Sequence, residues 1–286
     1  MGLHASTGQH AVPSGTLLAG RYELGALLGV GSTAAVHRAR DHRTSREVAV
    51  KLITSGGAGP GARPGQHEAA VLAGLHHPGL VPLLDTGSAD GRFFLVVELV
   101  DGPVLSHLLD AGPLPVAAAA ALGAALADAL AHAHARGVVH RDVKPANVLV
   151  DRCGRPTLAD FGIARLVDAA RVTPTGCIVG TAAYLAPEQV RGTAVGPAAD
   201  VYALGLVTLE AATGTREYPG TALEAAVARL HRPPRTPAGL PASLATTLRR
   251  MTADDPARRP TAAQASALLT RAGLEALPVR ATRCAA

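Results

Sequence analysis

The sequence predicts an α+β protein in two lobes, a small β-rich one followed by a larger α-helical one. Three observations carry this. Between Arg21 and Leu99 the apolar runs are short, β-branched and separated by turn residues, as in EVAVKLI (47–53) and RFFLVVEL (92–99). After Gly102 the runs lengthen to helical size, at Val116–Arg136 and Ala198–Thr213. The chain has 286 residues and 48% of them are hydrophobic, so it can bury a sizeable core and is not generally disordered.

Each element has its own signal. The first 20 residues are polar and carry Gly, Ser and Pro, which predicts a flexible tail. Strands at Arg21–Leu28 and Ala34–Ala39 flank a glycine-rich turn, and Glu47–Ile53 is a third. Arg92–Leu99 follows the hairpin dipeptide Asp90-Gly91. Gln66–Leu75 predicts one short helix ended by His77-Pro78, after a Gly/Pro-rich and mobile loop at Ser55–Gly65. Val116–Arg136 is a long helix with Gly137 as its C-cap, and Ala198–Thr213 a second ended by Gly214. Shorter helices follow at Leu223–Leu230, Ser243–Met251 and Thr261–Ala272. This gives a first lobe at 21–97, a hinge at 98–102, a second lobe at 103–272 and a tail at 273–286. A cleft between two such lobes is a common ligand site.

Composition excludes several classes of function. The three cysteines (Cys153, Cys177, Cys284) form neither a CxxC metal motif nor an even disulfide framework, so a reducing, cytoplasmic compartment is expected. The net charge of +5 comes without a Lys/Arg run, which suits an anionic ligand and argues against nucleic acid. The start has no basic n-region or apolar h-region of a signal peptide. The longest uncharged apolar stretch, Leu114–Ala127, stops at Asp128, too short to span a bilayer. Only two of the 27 cationic residues are lysines, Lys51 and Lys144, and the chain has one asparagine, Asn147. Where arginine is the habitual cation, a retained lysine points to chemistry that needs a compact charge rather than a planar fork.

Those three residues lie in the stretches that carry chemistry. Leu28-Gly29-Val30-Gly31 opens a turn between two strands, where glycines let the backbone approach a phosphate chain. A strand follows it rather than a helix, which sets aside a dinucleotide fingerprint. Lys51 lies in VAVK, where an ammonium can neutralise phosphate oxygens, and Glu68 is a carboxylate that can hold it. VVHRDVKPANVLV (138–150) brings Asp142, Lys144 and Asn147 into one loop, a spacing that suits a general base beside a metal ligand. Asp160 then precedes Phe161-Gly162 at a strand end. Two oxygen ligands together with phosphate oxygens make a Mg2+ site.

In this order the motifs resemble the protein-kinase family, whose signature set is a known one: glycine-rich loop, VAVK, a helix Glu, HRDVKPAN, DFG and Ala186-Pro187-Glu188. The resemblance covers roughly Tyr22 to Leu269 and implies the bilobal protein-kinase fold. It implies ATP and Mg2+ (or Mn2+) as cofactors. Leu28, Gly29, Val30 and Gly31 would then shape the cover over the ATP phosphates, and Lys51 would contact the α/β-phosphates and pair with Glu68. Val36, Ala49 and Leu149 would sandwich the adenine. Glu98 and Val100 would offer it backbone hydrogen bonds, with Val97 at the gatekeeper position. Asp142 would accept or orient the substrate hydroxyl proton, Lys144 would sit near the γ-phosphate, and Asn147 and Asp160 would hold the metal. Asp200 would brace the catalytic loop, and Arg259 would pair with Glu188.

The loop ending and the stretch GTAAYLAPEQ (180–189) resemble the bacterial serine/threonine class. Protein substrates bearing Ser or Thr are implied, and so is the chain itself as a substrate. Arg141 before Asp142 resembles the arginine of kinases switched by phosphorylation of the 160–188 segment, with Thr173 and Thr175 as the sites and Thr181 as a structural contact. A dimer is possible on this reading. The third loop glycine is Ala34 here. The rival readings are a pseudokinase scaffold, which would have lost Lys51, Asp142 or Asp160, and a small-molecule phosphotransferase, which would lack Ala-Pro-Glu and the peptide-binding segment before it.

Overall fold

A computed structural model describes residues 12–31, 34–53, 73–160 and 182–277 and resolves into two compact units that divide at Asp101/Gly102. The expected loop at 55–65, nearly all of the expected 66–75 helix, Glu68, Phe161, Gly162, Thr173, Thr175 and Thr181 lie outside the described residues.

The N-terminal unit is an antiparallel sheet of β1 (Leu17–Leu18), β2 (Tyr22–Val30), β3 (Ala34–Asp41), β4 (Arg46–Ile53), β5 (Leu83–Ala89) and β6 (Arg92–Glu98). Their order across the sheet is β1-β2-β3-β4-β6-β5. The alternation along β4 sorts its side chains onto two faces. Val48, Val50 and Leu52 enter a closed core with Leu24, Phe94 and Val96. The Asp90-Gly91 turn has φ of 51° and 72°, the double left-handed geometry of a tight hairpin. Residues 12–20 are not the expected loose tail: Leu18 is buried, and Leu17 and Leu18 pair with Glu23 and Tyr22. Two residues are too few for an alternating pattern, so the sequence hid this strand.

The C-terminal unit comprises α1 (Leu105–Asp110), α2 (Val116–His134), the hairpin β7 (Val148–Val150) and β8 (Pro156–Leu158), α3 (Pro187–Arg191), α4 (Pro197–Thr213), α5 (Ala222–His231), α6 (Ala242–Met251) and α7 (Ala262–Glu275). Its centre is α2, which packs against α7 and α4 and buries Leu122, Leu126 and Leu130. Gly123 permits that approach, since a Cβ there would stand 2.5 Å from the Thr208 hydroxyl on α4. Asp128 ends the uncharged apolar stretch but not the helix, which the sequence also carries past it. It points outward between buried Ala127 and Ala129, and the helix continues to His134 for 19 residues in all. Among the described residues, α2 alone is long and apolar enough to cross a membrane, and its leucines are spent on the core of this unit.

Candidate active site

On the N-terminal unit, strand register fixes which side chains share a face. Lys51 stands opposite Val36 on β3 and Leu95 on β6, and Ala49 stands opposite Val97. Val36, Ala49, Lys51 and Val97 therefore share the sheet face turned away from the Val48-Val50-Leu52 core. At the turn, the Gly31 N–H donates to the Ala34 carbonyl at 2.8 Å. A Cβ at Gly29 would meet nothing within 4 Å, and one at Gly31 only the Ala34 carbonyl, at 3.6 Å. Neither packing nor a positive φ demands glycine at these two positions; what glycine leaves there is bare backbone, as phosphate binding requires. Leu28 and Val30 on either side of Gly29 are exposed apolar residues. The Glu98 N–H is spent on the Pro82 carbonyl, so of its main-chain groups only the carbonyl remains for an adenine edge. Val100 is half-buried beyond it.

On the C-terminal unit the loop before β7 is held from below. Asp200, in the first turn of α4 and 1% exposed, accepts from the His140 N–H at 2.8 Å and the Arg141 N–H at 2.7 Å. His134 Nε2, at the end of α2, donates to the same carboxylate at 2.8 Å. Arg141 has φ of 67°, a left-handed conformation costing a non-glycine residue about 1–2 kcal/mol. Its N–H is held by Asp200 and its carbonyl accepts from Gln189 at 3.2 Å. His140 accepts from the Asp142 N–H through Nδ1 and sits 2.9 Å from the Ala159 carbonyl through Nε2. The ring can satisfy both only as the neutral tautomer carrying its proton on Nε2.

Two of the three rare residues, Lys144 and Asn147, meet Asp142 above this brace. Lys144 Nζ donates to Asp142 Oδ2 at 2.7 Å, and Asn147 Nδ2 donates to the same oxygen at 3.0 Å and to the Asp142 carbonyl at 2.8 Å. Asn147 therefore spends its amide nitrogen on the loop, which leaves the amide oxygen as its ligating atom. The Ala159 N–H donates to the Asn147 carbonyl at 2.8 Å, so Asp160 follows one residue after that tie. Asp160 is exposed and has φ of 59°. Among the described residues no cluster of three His, Cys, Asp or Glu is assembled for a metal. One carboxylate and one amide oxygen, completed by phosphate oxygens, fit a hard divalent cation that arrives with its nucleotide. Leu149, on β7, bridges Val104 and is half-buried.

Glu188 and Arg259 form a buried fork-to-fork pair, with Nη1–Oε1 at 2.7 Å and Nη2–Oε2 at 2.8 Å. The remaining donors of Arg259 go to the carbonyls of Ala253, Ala198 and Asp254 at 2.8, 2.9 and 3.0 Å. All five guanidinium N–H groups thus have acceptors. The surface role that sequence allows an arginine beside Arg258 is ruled out, since the Arg259 side chain is fully buried. His134, His140 and Gln189 carry the loop geometry and were not identified from sequence as site residues. His140 sits inside HRD, but its role depends on a carbonyl 19 residues away.

A family profile described as the protein kinase domain matches residues 22–268. The chain is 43% identical over 211 residues to the DNA damage-responsive serine/threonine-protein kinase RqkA of Deinococcus radiodurans, covering 72% of this chain and 32% of that protein. It is 42% identical over 229 residues to the serine/threonine-protein kinase PknA of Mycobacterium tuberculosis, 77% of this chain and 53% of the relative. It is 42% identical over 270 residues to PknL of the same organism, a serine/threonine-protein kinase, covering 91% and 66%. The chain thus spans between about a third and two thirds of the length of these relatives.

Proposed function

Because this chain belongs to the protein kinase family, we propose that it transfers the γ-phosphate of ATP to serine or threonine hydroxyls of protein substrates. The observation that carries this is the convergence of Lys144 and Asn147 on one oxygen of Asp142, on a loop braced by Asp200. The Asp142 carboxylate is the one base in that loop placed to orient a substrate hydroxyl and take its proton. Lys144, hydrogen-bonded to it, supplies positive charge where the transferring phosphoryl group develops negative charge. ATP and a divalent cation are the family's cofactors. On this reading the cation is Mg2+ or Mn2+, held by Asn147 and Asp160, and when bound it neutralises phosphate charge. Lys51, on the sheet face shared by Val36 and Ala49, takes the α/β-phosphates.

A pseudokinase scaffold is less well supported, because Lys51, Asp142 and Asp160 are all present. Autophosphorylation at Thr173 or Thr175 is part of the proposal. Arg141 supports it with a side chain that is exposed while its backbone is fixed. A cytoplasmic location is proposed as well, on the sparse cysteines and the free thiol of Cys153. The test is transfer from radiolabelled ATP with Mg2+ or Mn2+ to a generic basic protein, comparing the wild type with Asp142→Asn, Asp160→Ala and Lys51→Arg. Transfer by the wild type, loss in all three variants and a phosphate on the 171–181 peptide by mass spectrometry are expected. Undiminished transfer in the three variants refutes the reading.

A further inference from the structure

Two arginines are buried among the described residues, Arg259 and Arg229. Arg259 has a carboxylate; Arg229 pairs with none from the described residues. Its acceptors are two successive main-chain oxygens: Nη1 donates to the Ala182 carbonyl at 2.7 Å and Nη2 to the Ala183 carbonyl at 2.6 Å. The guanidinium also lies over the Tyr218 ring, 4.8 Å from its centroid, and Nε is buried without a partner. Burial lowers its pKa. A cation held only by neutral acceptors is a costly way to fill a core, and an apolar side chain of similar length would pack there at less cost. What such a side chain cannot do is grip two adjacent carbonyls at once, which the planar fork does.

The gripped segment is the turn Ala182–Tyr184, immediately before Ala186-Pro187-Glu188. Its other end is tied by Tyr184, whose hydroxyl donates to Glu210 at 2.5 Å. Tyr184 and Leu185 line a small depression together with Arg141, Asp142 and Gln189. Ala199, Asp200 and Ala203 of α4 line the same depression, so the turn packs beside the braced loop that carries Asp142.

We propose that Arg229 is a positioning residue for the protein substrate: from α5 it fixes the 182–184 carbonyls, and through them the wall against which the acceptor chain lies. This rests on the kinase reading above. It predicts an effect on protein-substrate use that spares nucleotide binding, because the described partners of Arg229 are the Ala182 and Ala183 carbonyls and the Tyr218 ring, none of them a nucleotide or metal residue. A cavity of about 280 Å³ adjoins Arg229 and is lined by Tyr202, Leu230, Pro233 and Thr252 among others, which gives a small guanidinium a way in.

The experiment uses the full chain with Arg229→Met, Arg229→Gln and Arg229→Lys. Phosphorylation kinetics are read with protein substrate and ATP varied separately, nucleotide affinity by fluorescent ATP-analogue titration, and folding by thermal melting. Arg229→Met is expected to raise the protein-substrate KM roughly tenfold or more with nucleotide affinity within about twofold, and Lys and Gln, each gripping one carbonyl, to fall between. Millimolar methylguanidinium should recover part of the loss in Arg229→Met and do nothing to the wild type. Unchanged protein-substrate kinetics, a parallel loss of nucleotide affinity, or loss of the melting transition in all three variants overturns the proposal. A wild type with no phosphoryl transfer refutes the kinase reading instead, and that control is scored first.

Discussion

Asp200→Ala removes the one carboxylate that accepts from two consecutive loop N–H groups and from His134. Each orphaned N–H in this buried position costs about 2 kcal/mol, so the pair accounts for about 4 kcal/mol. Arg141 recovers about 1 kcal/mol by leaving the left-handed region that Asp200 enforces. The net loss is about 3 kcal/mol, or a fall of about 10 °C in the melting temperature of the C-terminal unit. The same relaxation turns the peptide before Asp142, and a displacement of about 1 Å at a reacting group costs about a hundredfold in rate. Asp200→Asn separates the two effects. Its single amide oxygen can satisfy one loop N–H, but its NH2 then faces the other, donor against donor. About half the stability loss should return while turnover stays low. The assay is calorimetric melting alongside transfer from labelled ATP. A threefold or smaller change in turnover with Asp200→Ala, or full activity in Asp200→Asn, refutes the bracing argument.

Arg259→Met strands a buried Glu188 carboxylate and should cost about 3–5 kcal/mol, while the double variant with Glu188→Gln should recover part of that; additive losses in a double-mutant cycle on melting refute the coupling. The Arg21 guanidinium, with Thr44 and the Arg43 N–H, holds the Asp41 carboxyl well below the usual carboxylate range. A depressed carboxylate contributes stability that is full above its unfolded pKa of about 3.9 and is lost as pH falls below it, so Asp41→Asn should flatten the acid limb of the N-terminal unit below about pH 4 and leave pH 5–7 level. Melting monitored across that range checks it. Val97 shares the Ala49 face and is small, so Val97→Phe should block ATP analogues carrying a bulky group behind the adenine while changing ATP affinity little, measured by competition binding.

Much of this was legible because the deciding interactions are local. The β4 and β6 runs are short, apolar stretches of seven or eight residues bounded by turn residues, and Asp90-Gly91 is the dipeptide that a double left-handed turn requires. The catalytic loop was legible because Asp142, Lys144 and Asn147 meet within six residues of chain. β5 was missed because LLDTGSA looks like a loop. Its Gly87 is in the strand because the Phe94 ring lies over it, 2.4 Å from where a Cβ would be. α1 and α3 are six and five residues long, too short to show a helical period. Arg259 is 71 residues from Glu188, and nothing in the DPARRP stretch itself says which arginine turns inward, so that pair was legible only through the family resemblance; Arg229, 47 residues from Ala182, carried no such signal.

The bias toward arginine takes a physical meaning from these contacts. Each structural arginine closes several bonds with one planar head: Arg21 onto Asp41 and Asp85, Arg232 onto the side chain and carbonyl of Glu217, Arg229 onto two carbonyls, Arg259 onto five acceptors. A lysine at any of these places could not satisfy the same acceptors in one plane. Lys144 is the opposite case, a single ammonium brought to a single oxygen of Asp142 at 2.7 Å. On the proposed function, a guanidinium there would put a broad plane across the space where a hydroxyl and a phosphoryl group meet. At these four arginines the planar fork holds several acceptors at once, and at Lys144 the compact charge meets one oxygen.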